Sequence, residues 1–132
     1  MSKKERNWKL FIMDMLESIN KIEKYIEGLN YEQFIRDEKT KDAVVRNLEI
    51  IGEAANQISK EIQQKFSNVP WAQIIAMRNR MIHGYFAIDY RIVWDLAKID
   101  IPLLKKELEL ILQKELKNEK ITYTPSFPVF CH

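Results

Sequence analysis

Cysteine, glycine and proline are scarce in this chain of 132 residues, which holds one Cys, three Gly and four Pro. The lone cysteine, Cys131, excludes an internal disulfide and suits a reducing, cytoplasmic setting. So few turn formers disfavour the many tight turns of an all-β fold. No run of about 18 apolar residues occurs, so no segment is suited to span a membrane. No signal-peptide pattern is visible either: Lys3, Lys4, Glu5 and Arg6 lead into an amphipathic pattern with charges throughout. A Gly-rich phosphate loop, a Cys/His metal spacing and a Ser-His-Asp set are all missing. With two histidines, a histidine-rich metal site within one chain is excluded. There is no internal repeat and no low-complexity segment. An excess of one charge is lacking too, with a net charge of +2 and 30% charged residues. That near-balance implies no blanket affinity for nucleic acid. Binding to a nucleic acid would need a local cleft, or a basic patch made by dimerisation.

Helical periodicity is abundant by contrast. Over residues 5–27, Trp8, Phe11, Ile12, Met15, Ile19, Ile22 and Ile26 recur at steps of three and four, which predicts a helix ended by Gly28. Leu29, Tyr31, Phe34 and Ile35 then pack as a lid on the bundle end. A second helix starts near Asp37 or Thr40 and runs to about Phe66. It carries one stripe of Val44, Leu48, Ile51, Ala55, Ile58 and Ile62, and a second, small-residue stripe of Val45, Gly52, Asn56 and Ser59. The small stripe allows close approach of another helix, in the same chain or in a second one. Ser67-Asn68-Val69-Pro70 breaks the chain, and Pro70 suits the first position of a third helix, running to Ile82 or His83. Asp89 caps a last helix, with Ile92, Leu96, Ile99 and Leu103 in phase and Leu104, Leu108, Ile111 and Leu112 nearby. The phase survives Pro102, so one long helix kinked there is expected. Trp94 reads as a core or interface residue. The resulting expectation is an all-α, up-and-down four-helix bundle over residues 1–117. Residues 118–132 form an extended tail, loose or pinned by Phe127 and Phe130. The apolar surface of the second helix exceeds the needs of one bundle, which points to a two-fold homodimer.

Chemistry concentrates in Arg78-Asn79-Arg80-Met81-Ile82-His83-Gly84-Tyr85. An arginine stays charged and offers a planar fork of donors to a phosphate. A histidine titrates near neutral pH and can give or take a proton. The pair supplies the two needs of RNA cleavage through the 2′-hydroxyl, charge stabilisation and acid–base catalysis, and no metal is required for that. Arg78 follows Ile74 and Ile75 and precedes Met81 and Ile82 on the apolar stripe, so its guanidinium needs a partner or a cleft. Asn79 and His83, four apart, share a face. Arg78 and His83 are five apart, about 140° around a regular helix. They converge within one chain only if the helix distorts near Gly84 or the arginine reaches around. Glu53 lies in a largely apolar turn between Ile50 and Ala54; it is either solvated or paired with Arg78.

Taken with Ala43-Val44-Val45-Arg46-Asn47-Leu48-Glu49-Ile50-Ile51-Gly52-Glu53-Ala54, Pro70-Trp71 and Phe86-Ala87-Ile88-Asp89, the run resembles the HEPN-domain ribonuclease toxins of the HepT family. The hallmark is an arginine, four to six residues, then histidine, here Arg78 and His83. The His-x-Tyr extension is His83-Gly84-Tyr85. The resemblance spans roughly residues 8 to 112. It implies a homodimeric, metal-independent endoribonuclease without a cofactor, acting on tRNA or mRNA, with its site at the dimer interface. It also implies a cognate nucleotidyltransferase antitoxin as partner, attaching AMP to Tyr85. In that reading His83 moves protons, Arg78 stabilises the phosphorane, and Asn79 and Glu53 support them. The competing expectation is a non-catalytic, substrate-binding or regulatory subunit of a two-component nucleotidyltransferase, in which the same residues grip a nucleotide or the partner protein.

Overall fold

The computed structural model describes residues 3–84, 87–117 and 126–131. No strand occurs among them, and four main helices form the expected bundle. The first, α1 (Lys3–Ile26), buries Ile12, Met15, Ile19 and Ile22 completely. Truncating such a side chain to Ala typically costs about 2–5 kcal/mol. Gly28, at φ +78°, supplies the left-handed turn that ends the helix. Asn30 and Gln33 then form a reciprocal capping box, 2.9 and 3.0 Å, that starts the short α2 (Tyr31–Arg36). Phe34 is fully buried and packs on Trp94 with ring centroids 5.0 Å apart. The expected lid and the core role of Trp94 are both present.

Helix α3 (Glu38–Gln57) begins at Asp37, whose carboxylate takes the Thr40 N–H at 3.1 Å and the Thr40 hydroxyl at 2.8 Å. These bonds hold its pKa below the usual value. The helix does not continue to Phe66 as the sequence pattern suggested. Ile58 turns extended, and Ser59 caps a separate short helix, α4 (Lys60–Lys65), by accepting the Ile62 N–H at 3.3 Å. The buried Gln63 side chain stabilises the break, donating to the carbonyls of Ala55 at 3.2 Å and Ile58 at 3.1 Å. Helix α3 packs on both α1 and α5 (Trp71–His83); Gly52 of the small stripe lies against α5, whereas Asn56 is exposed and Ser59 lies beyond the helix. No large exposed hydrophobic side chain lies on α3 among the described residues. The surplus apolar surface expected of it is therefore not there.

The last long helix runs as α6 (Tyr90–Asp95), a π turn (Leu96–Asp100) and α7 (Ile101–Lys117). Asp89 caps it through the Arg91 N–H at 2.9 Å. Pro102 follows the wide turn, in which the Ile101 N–H reaches back to the Leu96 carbonyl. The extra residue per turn eases the clash a proline ring makes with the carbonyl four residues earlier. It also shifts the phase. Val93, Leu96, Ala97, Ile101, Leu104, Leu108 and Ile111 face the core, whereas Ile92 and Ile99 are exposed, contrary to the expected stripe. Asp100, in the π turn, is fully buried. Its carboxylate accepts the N–H of Val129 at 3.0 Å and of Phe130 at 2.7 Å. Burial raises its pKa, and those two bonds pull it back. Phe127 and Phe130 are buried on the bundle, so this part of the tail is a pinned turn rather than an extended strand.

Candidate active site

Helix α5 carries Arg78, Asn79 and His83 against the flank of α3. Its apolar side is fixed by Trp71, Ile74, Met77 and Met81, all buried. The Trp71 indole N–H donates to the Phe66 carbonyl at 3.1 Å and anchors the start of the helix. The Gly84 N–H closes the end on the Arg80 carbonyl at 2.8 Å. Between those anchors the helix stays regular.

Arg78 has the partner its position demanded. Its Nε donates to Glu53 Oε2 at 2.7 Å, and Nη2 meets the same oxygen at 2.5 Å. Nη1 donates to Asn79 Oδ1 at 2.7 Å. A guanidinium has five N–H groups, one on Nε and two on each Nη. Among the described residues, Glu53 and Asn79 engage one on each nitrogen, which leaves one N–H on each terminal nitrogen. The Arg78 side chain is 23% exposed and that of Glu53 is 51% exposed. Solvent screening limits such a pair to about 0–1 kcal/mol of stability. Its physical effect is therefore orientation: a long, flexible cation is held in one place with two donors unspent.

His83 is exposed at the last residue of α5. Among the described residues no hydrogen bond or ion pair joins it to Arg78, Asn79 or Glu53. Because the helix does not distort before Gly84, the separation of about 140° stands. The structure thus joins Arg78, Asn79 and Glu53 through direct contacts, and among the described residues none of these contacts extends to His83, which shares a helix face with Asn79 alone. Tyr85 lies outside the described residues. No group of three or more His, Cys, Asp or Glu side chains is placed to hold a metal among the described residues.

Beside Glu53 a groove of about 450 Å³ runs between α1, α3 and the end of α5. Asp14, Glu17 and Lys21 line it from α1, Arg46 and Glu49 from α3, and Ile82 from α5. The mixed signs make no single-sign field, in keeping with the balanced composition. Sequence reasoning passed over two buried carboxylates, Asp100 and Glu107, in the last helix. Their only sequence signal is an acid placed within an apolar phase. It also passed over the contact of Gly52 with Arg78, visible only as one member of the small-residue stripe.

The bundle thus presents an oriented arginine and an exposed histidine on one helix. Comparison with known proteins supplies the class. Residues 15–111 match the family "Ribonuclease HepT-like", and the chain belongs to that family of ribonucleases. It is 43% identical over 107 residues to a Methanocaldococcus jannaschii protein named as an RNase, covering 81% of this chain and 98% of that one. A Caldanaerobacter subterraneus protein, also named as an RNase, is 46% identical over 90 residues, covering 68% of this chain and 80% of its own. A Thermococcus cleftensis protein named as a ribonuclease HepT is 39% identical over 105 residues, with coverages of 80% and 96%. No solved structure gives a significant match.

Proposed function

We propose that this ribonuclease cuts RNA internally, without a metal, through the 2′-hydroxyl. The observation that carries the proposal is the Arg78 guanidinium, held by Glu53 and Asn79 with, among the described residues, one N–H left on each terminal nitrogen, on the helix that ends at the exposed His83. The free N–H groups bind the scissile phosphate and stabilise the charge that builds on the phosphorane. An imidazole takes the 2′-hydroxyl proton, the 2′-oxygen attacks phosphorus, and the 5′-oxygen leaves with a proton returned to it. The products are a 2′,3′-cyclic phosphate and a 5′-hydroxyl. The nucleophile belongs to the RNA, so no activated water is needed.

Two proton transfers and one His83 per chain favour a two-fold homodimer. A second copy supplies a second His83 and places histidines near arginines that a single helix keeps apart. Cyclic dimers are the commonest assembly and would cover exposed Ile82. The RNA is a tRNA or an mRNA. We further propose that the chain is the toxin of a toxin–antitoxin pair. A cognate nucleotidyltransferase uses ATP to silence it: the Tyr85 hydroxyl attacks the α-phosphorus, pyrophosphate leaves, and AMP remains on the tyrosine. The new phosphate competes for Arg78 with the RNA phosphate by charge and bulk.

Incubation of the pure protein with total tRNA and a chelator tests the first proposal. Arg78→Ala and His83→Ala each lose cleavage while keeping the wild-type unfolding midpoint; full activity in His83→Ala rejects the mechanism. Intact-mass analysis after incubation with the partner enzyme and ATP tests the second. AMP additions vanish in Tyr85→Phe, and additions that persist there reject Tyr85 as the target.

A further inference from the structure

Gly52 is buried on α3, one residue before Glu53 and beneath the stem of Arg78. A Cβ placed on it would lie 2.1 Å from Arg78 Cβ, 2.9 Å from Arg78 Cγ and 3.1 Å from the Ile74 carbonyl oxygen. Carbon atoms in contact sit about 3.5–4.0 Å apart. The nearest of these atoms is a Cβ, fixed to the helix backbone, so no rotamer of Arg78 removes the overlap. All three neighbours belong to α5. A side chain at position 52 must therefore move α5 off α3 by about 1.5 Å.

Such a movement acts on the site in one particular way. Glu53 stays with α3, whereas Arg78, Asn79 and His83 travel with α5. The bond from Arg78 to Asn79 survives, since both residues ride on one helix. The contacts of 2.5 and 2.7 Å between Arg78 and Glu53 do not. We propose that Gly52 is a positioning residue for Arg78. The missing side chain sets the depth at which α5 rides on α3. That depth delivers the guanidinium to the Glu53 carboxylate and turns its spare N–H groups outward. Gly52 touches no substrate and acts only through Arg78. Glycine weakens a helix interior relative to alanine, and the close approach it permits here is what offsets that weakness. The inference rests on the reading of Arg78 as the phosphate-binding group.

The test is Gly52→Ala in the full-length protein, with three readouts: kcat and KM on RNA, the Arg78 Nε–H resonance by NMR, and thermal unfolding. A displacement of about 1 Å costs on the order of 10²-fold in rate. The expected result is a kcat about 10² lower with a smaller change in KM, loss of the hydrogen-bonded Nε–H signal, and a retained cooperative transition. If Gly52→Ala alone fails to fold, the double variant Gly52→Ala/Arg78→Gly decides, because it moves the Cβ from position 78 to position 52. Recovery of cooperative unfolding supports the seat; a double variant as unfolded as the single one overturns it. Wild-type kcat with an unchanged Nε–H signal in Gly52→Ala overturns it as well. A wild-type protein that cuts no RNA would reject the ribonuclease mechanism, yet the resonance and the double variant would still judge Gly52.

Discussion

Removing the Glu53 carboxylate separates orientation from charge at the proposed site. In Glu53→Ala, Arg78 loses two contacts to one oxygen, at 2.5 and 2.7 Å, and keeps only the bond from Nη1 to Asn79. The loss in global stability is small. The pair is partly solvated, so at most about 1 kcal/mol goes, a shift of a few degrees in Tm. The loss in rate is larger. An arginine side chain carries about 2 kcal/mol of rotamer entropy, and part of it must now be removed in the transition state. At about 1.4 kcal/mol per factor of ten, a full loss corresponds to roughly 30-fold in kcat. Ground-state binding moves the other way, because a carboxylate no longer repels the incoming phosphate. The expected signature is a kcat lower by about 10- to 30-fold, a KM equal to or below that of the wild type, and a Tm lowered by no more than a few degrees. Glu53→Gln keeps an acceptor and falls between the two. Steady-state cleavage of a fluorogenic oligoribonucleotide measures all of this. An unchanged kcat in Glu53→Ala would refute the orienting role, and a raised KM at constant kcat would show that Glu53 helps to bind RNA instead.

Asp100→Asn presents an amide group to the Val129 and Phe130 N–H donors; we expect a loss of about 1–3 kcal/mol and faster amide exchange at both positions, and unchanged exchange would show that the turn holds without the carboxylate. Glu107 is buried with Oε1 unpartnered, so Glu107→Gln is expected to raise stability at neutral pH by about 1 kcal/mol. Burial raises the folded-state pKa of both Asp100 and Glu107. Their contribution is fully present below the unfolded carboxylate pKa and is lost as pH rises through the higher folded value. Unfolding midpoints should thus fall as pH rises above the ordinary carboxylate range, with a shallower slope in Glu107→Gln; a slope that the substitution leaves alone would exclude Glu107 as a source.

The bundle was legible because its signals are local and periodic. Trp8 to Ile26 repeat at helical steps, Gly28 and Asp89 punctuate, and each does in the structure what its chemistry suggests. The errors arose where a single residue competes with that periodicity. Ser59 looked like part of a small stripe, yet its hydroxyl caps α4 and splits the expected second helix. Pro102 signalled a departure from regular helix, and a π turn lies just before it; that turn shifts the phase, and Ile92 and Ile99 fall outside the core. At the candidate site, the half-buried position of Arg78 could be read from its phase, and that demanded a partner. For Glu53 the sequence left two readings open, solvated or paired with Arg78, since a pairing across 25 residues has no local signature. The role of Gly52 was out of reach, because it depends on how deeply two helices interlock. The separation of His83 from Arg78 was visible as an angle on one helix, and α5 does nothing to close it.

The central claim is that the RNA supplies its own nucleophile while protein side chains move the protons and hold the phosphate. End-group analysis of the cleaved RNA, with a chelator present throughout, tests it most directly. The wild-type protein is expected to leave 2′,3′-cyclic phosphate and 5′-hydroxyl ends, and His83→Ala no such ends. Cleavage products that end in 3′-hydroxyl and 5′-phosphate would contradict it.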